Sequence, residues 1–178
     1  MGIAALRSFG SLAFAGAAFV LAPAAHAQSD PTEDLPSVGS AGLIDAAKDC
    51  SDAHDGATVD LALLGERGWT ELTITDDEGE ELDLPVHFFN RAEGDPLIVV
   101  PLAEGAPAVC VATGIVAEGA AAVPAIQTAF ADAFGEGMVE GEQAVYNHDG
   151  KMIATNFEED EEQGFVAQIA VLEQQSGD

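Results

Sequence analysis

Positive charge is what this chain has least of. Five Lys and Arg residues stand against 32 Asp and Glu, a formal net charge of −27 at pH 7. A surface of that sign repels nucleic acid and anionic membranes, so neither is expected as a partner. Cysteine is nearly absent: Cys50 and Cys110 are the two in the chain, and no Cys-x-x-Cys motif occurs. There is no Walker loop and no serine-hydrolase elbow. After residue 27 no run is long and apolar enough to cross a bilayer. No internal repeat is present, and 178 residues suffice for one domain but hardly for two.

What is there begins with an expected export signal over residues 1–27. Arg7 gives the basic start, Leu12–Ala22 the apolar run, Pro23 the break, and Ala25-His26-Ala27 the small-residue cleavage pattern. Cleavage near Ala27-Gln28 would leave a periplasmic or secreted chain of about 151 residues, with no cysteine near the cut to take a lipid anchor. That chain would keep 4 basic and 32 acidic residues, a formal charge of −28. In an oxidising compartment Cys50 and Cys110 are expected to form one disulfide, the alternative being two buried thiols. The acidity suits solubility in salt, where counterions screen self-repulsion. It would equally serve capture of a basic protein or of divalent cations.

The organising stretch is Ala108–Val116, rich in β-branched residues and read as an interior strand. Alternation puts Val109, Val111, Thr113 and Ile115 on one face, and Cys110, Ala112, Gly114 and Val116 on the other. The second face is small, so a helix can lie close to it. Leu97–Leu102 is the expected neighbour, joined through a turn at Gly105–Pro107. Residues 28–39 are polar and proline-bearing, and a flexible leader is expected there. Ser40 is placed to cap a helix running to about Cys50, with Leu43, Ala46, Ala47 and Cys50 as its apolar stripe. Ser51–Gly56 reads as a turn and Ala57–Leu64 as a short buried helix stopped by Gly65.

Gly68-Trp69 opens a strand through Thr75, with Trp69 out of phase. Glu81–Val86 is its expected hairpin partner, at an edge because Pro85 cannot donate to a ladder. Ala117–Phe134 is the main, alanine-rich helix, with the stripe Val123, Ile126, Phe130 and Phe134 and with Pro124 in the first turn. Glu142–His148 and Lys151–Phe157 flank Asp149-Gly150, a two-residue hairpin signal that sets Tyr146 opposite Ile153. Gly164–Leu172 alternates as a last strand, and residues 173–178 are expected to fray. The expected class is therefore α+β. A single domain over 40–172 would hold a largely antiparallel sheet of five to seven strands, an N-terminal helix and one alanine-rich helix packed on it.

Candidate chemistry is sparse. His54 lies among Ser51, Asp52 and Asp55, and with His87 could form a base or a metal site, although a solvated turn is the favoured reading because spacing positions no second histidine. Ser51–Ala62 fails as a calcium loop because its twelfth position is Ala62. Glu158, Glu159, Asp160, Glu161 and Glu162 form the densest charge run, expected as a solvated loop with weak capacity for cations or a lysine-rich partner. Trp69 and Tyr146 are expected in the core. No cofactor and no catalytic residue is indicated.

In order, the features are the leader, a helix ending in Cys50, the Gly68-Trp69 strand, Cys110 in a central strand, the alanine-rich helix and the Asp-Gly hairpin. That order resembles small uncharacterised exported (periplasmic) proteins of Gram-negative bacteria. The likeness covers most of the chain after the leader and implies the compartment and a single domain. Three functions stay open: a non-catalytic binding or accessory protein with a basic target, a metal-dependent protein or hydrolase using His54, Asp52 and Asp55, and a structural subunit adding strands at Gly164–Leu172 or Trp69–Thr75.

Overall fold

The computed structural model describes residues 35–76, 79–102 and 107–174. The expected export signal and cleavage site, the Gly105 part of the turn before Pro107, and residues 175–178 of the expected tail lie outside these. Eight strands form one antiparallel sheet: β1 Thr70–Leu72, β2 Val86–Asn90, β3 Leu97–Pro101, β4 Val109–Ile115, β5 Met138–Glu140, β6 Gln143–His148, β7 Lys151–Asp160 and β8 Gly164–Glu173. Their order across the sheet is β1-β2-β3-β4-β8-β7-β6-β5. Among the described residues three helices accompany them: α1 Ser40–Ala53, α2 Leu61–Glu66 and α3 Val123–Phe134, the last preceded by a 3-10 turn at Gly119–Ala122. The class is α+β, with one more strand than the upper expectation.

The topology is two meanders. β1 to β4 run outward-in; α3 then carries the chain to the far edge, and β5 to β8 run back. β8 thereby arrives beside β4, pairing from Val109 opposite Leu172 to Ile115 opposite Val166. As expected, β3 flanks the other edge of β4, with Val99 opposite Val111.

One side of the sheet carries the helices. Across it runs a row in register, Cys110, Val171, Ile153 and Tyr146, each side chain fully buried. The stripe of α1 (Leu43, Ala46, Ala47 and Cys50) packs there with zero exposure, as its spacing predicts. Cys50 and Cys110 are bonded, their Cα atoms 5.7 Å apart across 60 residues of chain. Val123, Ile126, Phe130 and Phe134 of α3 are buried over the second meander, with the Phe130 ring 5.7 Å from that of Tyr146. The Tyr146 hydroxyl donates to the Gln127 carbonyl at 3.1 Å, locking α3 to β6. Burial also pushes the Tyr146 pKa upward. Full burial of side chains of this size stabilises by roughly 1.5–3 kcal/mol each.

Several local expectations shift, each for a physical reason. Ser40 is the first helical residue and not the cap; Gly39 takes that place without a side-chain bond. α1 runs past Cys50 to Ala53, and the Ala57–Leu64 helix begins only at Leu61, where Asp60 accepts from the amides of Ala62 and Leu63. The hairpin partner of β1 is Val86–Asn90, not Glu81–Val86. Of the expected pairing there remain a bridge of Thr75 with Glu81 and a bond from Leu82 N to Ile74 O. The ladder starts beyond Pro85, whose carbonyl accepts from Leu102 N at 2.8 Å.

Glu158, Glu159 and Asp160 are strand residues of β7, paired with Val166, Phe165 and Gly164; the loop of the acidic run is confined to residues 161–163. Gly164–Leu172 lies within β8 at the sheet centre and has no free edge. β5 was not foreshadowed by any pattern. The end of the expected leader is docked: Val38 N donates to Ile115 O and Ile115 N to Pro36 O, both at 2.8 Å. This segment occupies the stretch of β4 that β3 does not reach. It can do so because residue 114 is glycine; a Cβ there would lie 2.5 Å from Val38 Cγ1. The Asp149-Gly150 turn has φ of 50° and 77°, the left-handed pair a two-residue hairpin requires, and Tyr146 faces Ile153 as read.

Reduction of the disulfide, or Cys50→Ser with Cys110→Ser, is expected to lower stability by about 4 kcal/mol from the entropy of a loop of this length. Urea unfolding of the oxidised and reduced protein measures it.

Candidate functional site

The polar face of α1 carries Asp45, Lys48, Asp49 and Asp52 at helical spacing. Asp49 is the hub. Its side chain is 9% exposed and accepts from Trp69 Nε1 at 2.9 Å, Arg91 Nη1 at 3.1 Å and Arg67 Nη1 at 3.4 Å. Arg91 is further held by Asp95, with bonds of 2.7 and 3.1 Å, and its guanidinium stacks 4.4 Å from the Trp69 ring centre. The Asp95 carboxylate raises the Arg91 pKa beyond its already high value. Arg67, at the end of α2, also donates to Asp52 at 2.6 Å.

These groups wall an open cleft of about 580 Å³ between α1 and the β6–β7 hairpin, which contributes His148, Asp149 and Lys151. Lys48, Arg67, Arg91 and Lys151 all line it. They are four of the five Lys and Arg residues in the whole chain. Lys48 and Lys151 form no ion pair among the described residues. The sequence reading missed this cleft. Its signal was present, since every cation in so acidic a chain is conspicuous, but the convergence is tertiary.

The anticipated His54 cluster is arranged differently. His54 is 3% exposed, with Nε2 at 3.0 Å from Ala108 O and Nδ1 accepting from Gly56 N at 3.0 Å. Both ring nitrogens are thus committed to backbone, and the ring joins the end of α1 to the start of β4. Asp55 accepts from Ala57 N, Thr58 N and Thr58 Oγ1, closing a turn. The backbone bond from Thr58, with that from Ala57, lowers its pKa. Asp52 faces Arg67, and His87 is bonded to Glu71 on β1. None of these hydrogen bonds links the four residues to one another. Among the described residues no group of three or more His, Cys, Asp or Glu side chains is placed to hold a metal ion.

The side of the sheet opposite the helices is the second region of interest. One row in register crosses all eight strands: Leu72, Phe88, Val99, Val111, Ala170, Ala154, Val145 and Met138. Every member is apolar. The segment carrying Ile74 and Leu84 packs beside Phe88 at one end. The row then surfaces through half-buried residues to Met138, which is 74% exposed. The adjoining row is polar, with Gln168, Asn156 and Gln143 in register and the Gln143 amide donating to Asn156 at 3.1 Å. At the covered end lies a groove of about 620 Å³. Leu72, Ile74, Leu84 and Val86 contribute its apolar surface, Glu71, Glu81 and Asp83 its carboxylates, and no Lys or Arg lines it. No helix among the described residues is long and apolar enough to cross a membrane. No protein-family model, curated protein or solved structure matches the chain.

Asp49→Ala is expected to cost about 2 kcal/mol, chiefly because it leaves the buried Trp69 indole N–H without an acceptor, while Arg67 keeps Asp52 and Arg91 keeps Asp95; thermal unfolding checks this. Asp55→Asn should lower stability at pH 7. Because the folded-state pKa of Asp55 is depressed, that contribution is present above its unfolded value and is lost as pH falls through the folded one. The gap between wild type and variant should therefore narrow progressively as pH falls below the ordinary aspartate value of about 3.9 in urea titrations.

Proposed function

We propose that this is an exported, non-catalytic binding protein that captures a basic partner on the helix-free side of its sheet. The single observation that carries the reading is the unbroken apolar row across eight strands, running into a groove whose charged side chains are carboxylates. A soluble monomer seldom leaves so extended an apolar band uncovered. Charge selects the partner: every described cation lies at the cleft on the helix side, so among the described residues the open side offers only negative charge. A partner with apolar side chains ringed by Lys or Arg matches both features. A second copy of the chain matches the apolar row but opposes it in charge. The Cys50–Cys110 bond supports export, since such bonds persist in oxidising compartments.

A synthetic amphipathic lysine–leucine peptide should bind saturably in calorimetry, more weakly as salt rises, and its glutamate–leucine counterpart should not. Ala170→Lys, at the centre of the row, should weaken the lysine–leucine peptide by about tenfold or more. Asp132→Lys, on the exposed face of α3, should change it by less than about twofold. Equal losses from the two substitutions would mean that general acidity, and not this face, does the binding.

A further inference from the structure

We infer that the cleft between α1 and the β6–β7 hairpin is a separate binding site, for a small multivalent oxyanion of the phosphate or dicarboxylate kind. This cleft lies apart from the helix-free side of the sheet. The cations at the cleft fall into two classes. Arg67 and Arg91 are consumed by structure: Asp49, Asp52 and Asp95 neutralise them, and Arg91 also stacks on Trp69. Lys48 and Lys151 have no such partner among the described residues, although carboxylates outnumber basic residues 32 to 5 in this chain. In such a background a lysine left unpaired at a concave surface is the unusual case.

The two ammonium groups come from different elements, α1 and the start of β7, and line the same cleft. Each carries three donors and no acceptor. Ser51 and His148 line the cleft as well and add hydrogen-bonding capacity. The His148 ring is held edge-on by Phe134 at 5.3 Å, and its Nε2 lies 3.5 Å from the exposed Asp149 carboxylate. The hairpin that presents Lys151 and His148 is set by the Asp149-Gly150 turn, and the Cys50–Cys110 bond fixes α1 to the sheet. The donors are therefore carried on rigid elements. An anion with two or more charged oxygens can engage both lysines at once, whereas a monovalent anion engages one. Asp45 and Asp149 line the same cleft and disfavour a purely electrostatic trap. This favours a ligand that also uses the hydroxyl and imidazole.

The test is calorimetric titration of the full chain with inorganic phosphate, with malonate and with acetate, all at one ionic strength set by sodium chloride. Phosphate or malonate should bind one-to-one with Kd below about 1 mM, and whichever binds identifies the oxyanion class. Acetate should bind at least about tenfold more weakly. Lys48→Gln and Lys151→Gln replace groups at the surface. Each should weaken binding about tenfold or more while leaving the melting temperature within about 2 °C of wild type. Absence of saturable binding by both multivalent anions would overturn the inference, as would undiminished binding by the double variant or equal affinity for acetate.

Discussion

The ladder between β4 and β8 is the joint on which the molecule depends. It is the only seam between the two meanders within the described sheet, and every residue of β4 from Val109 to Ile115 is paired along it. Both helical attachments lie on one row that crosses this seam. α1 is fixed to β4 through sulfur, and α3 lies over β6 through Phe130 and Tyr146, three strands further on in the row that begins at Cys110. The small residues on that face of β4 let a helix approach closely, and at the bond between Cys50 and Cys110 the two Cα atoms are 5.7 Å apart. Burial then does the rest: the row from Cys110 to Tyr146 is dry from end to end.

How much of this was legible depends on the range of the signal. Alternation within Ala108–Val116 assigned the faces of β4, and helical spacing found the buried stripes of α1 and α3, because those patterns are local. The Asp-Gly pair fixed the β6–β7 register for the same reason. The misplaced elements are those where a distant partner decides. Glu158 to Asp160 read as loop on composition, yet β8 pairs with them to the end of β7. Val86–Asn90 won over Glu81–Val86 because β3 offers a ladder there and Pro85 has no N–H to donate to one. The position of β8 beside β4 was not readable, since no local feature announces which strand a last strand will meet. The candidate sites follow the same division. His54 and Asp55 were visible as a cluster, but the backbone groups that engage them were not. The four cations lie on α1, after α2, after β2 and in the β6–β7 hairpin, and only the fold assembles them.

The two sides of the sheet differ in kind. Beneath the helices, Asp49, His54 and Thr155 are buried polar groups that are tied down: Asp49 by three donors, His54 by two backbone atoms, Thr155 by a carbonyl. On the other side the apolar row is half-open, and the charges around it are of one sign. Segregating the few cations to one cleft has an electrostatic effect beyond that cleft. With its counter-charges gathered elsewhere, the open side feels the net charge of the chain almost undiluted within a Debye length of about 10 Å at 0.1 M salt.

The place of β8 also orders events in time. The cysteines both precede the second meander, so the sulfur bond can close while β5 to β8 are still unfolded or still being delivered. At that stage β4 presents a bare edge in the middle of what will become the sheet, and only the final described strand can cover it. A nascent chain is therefore most exposed to mispairing just before its last strand docks. Clipping within that one strand would separate the sheet into two half-sheets rather than trim its border.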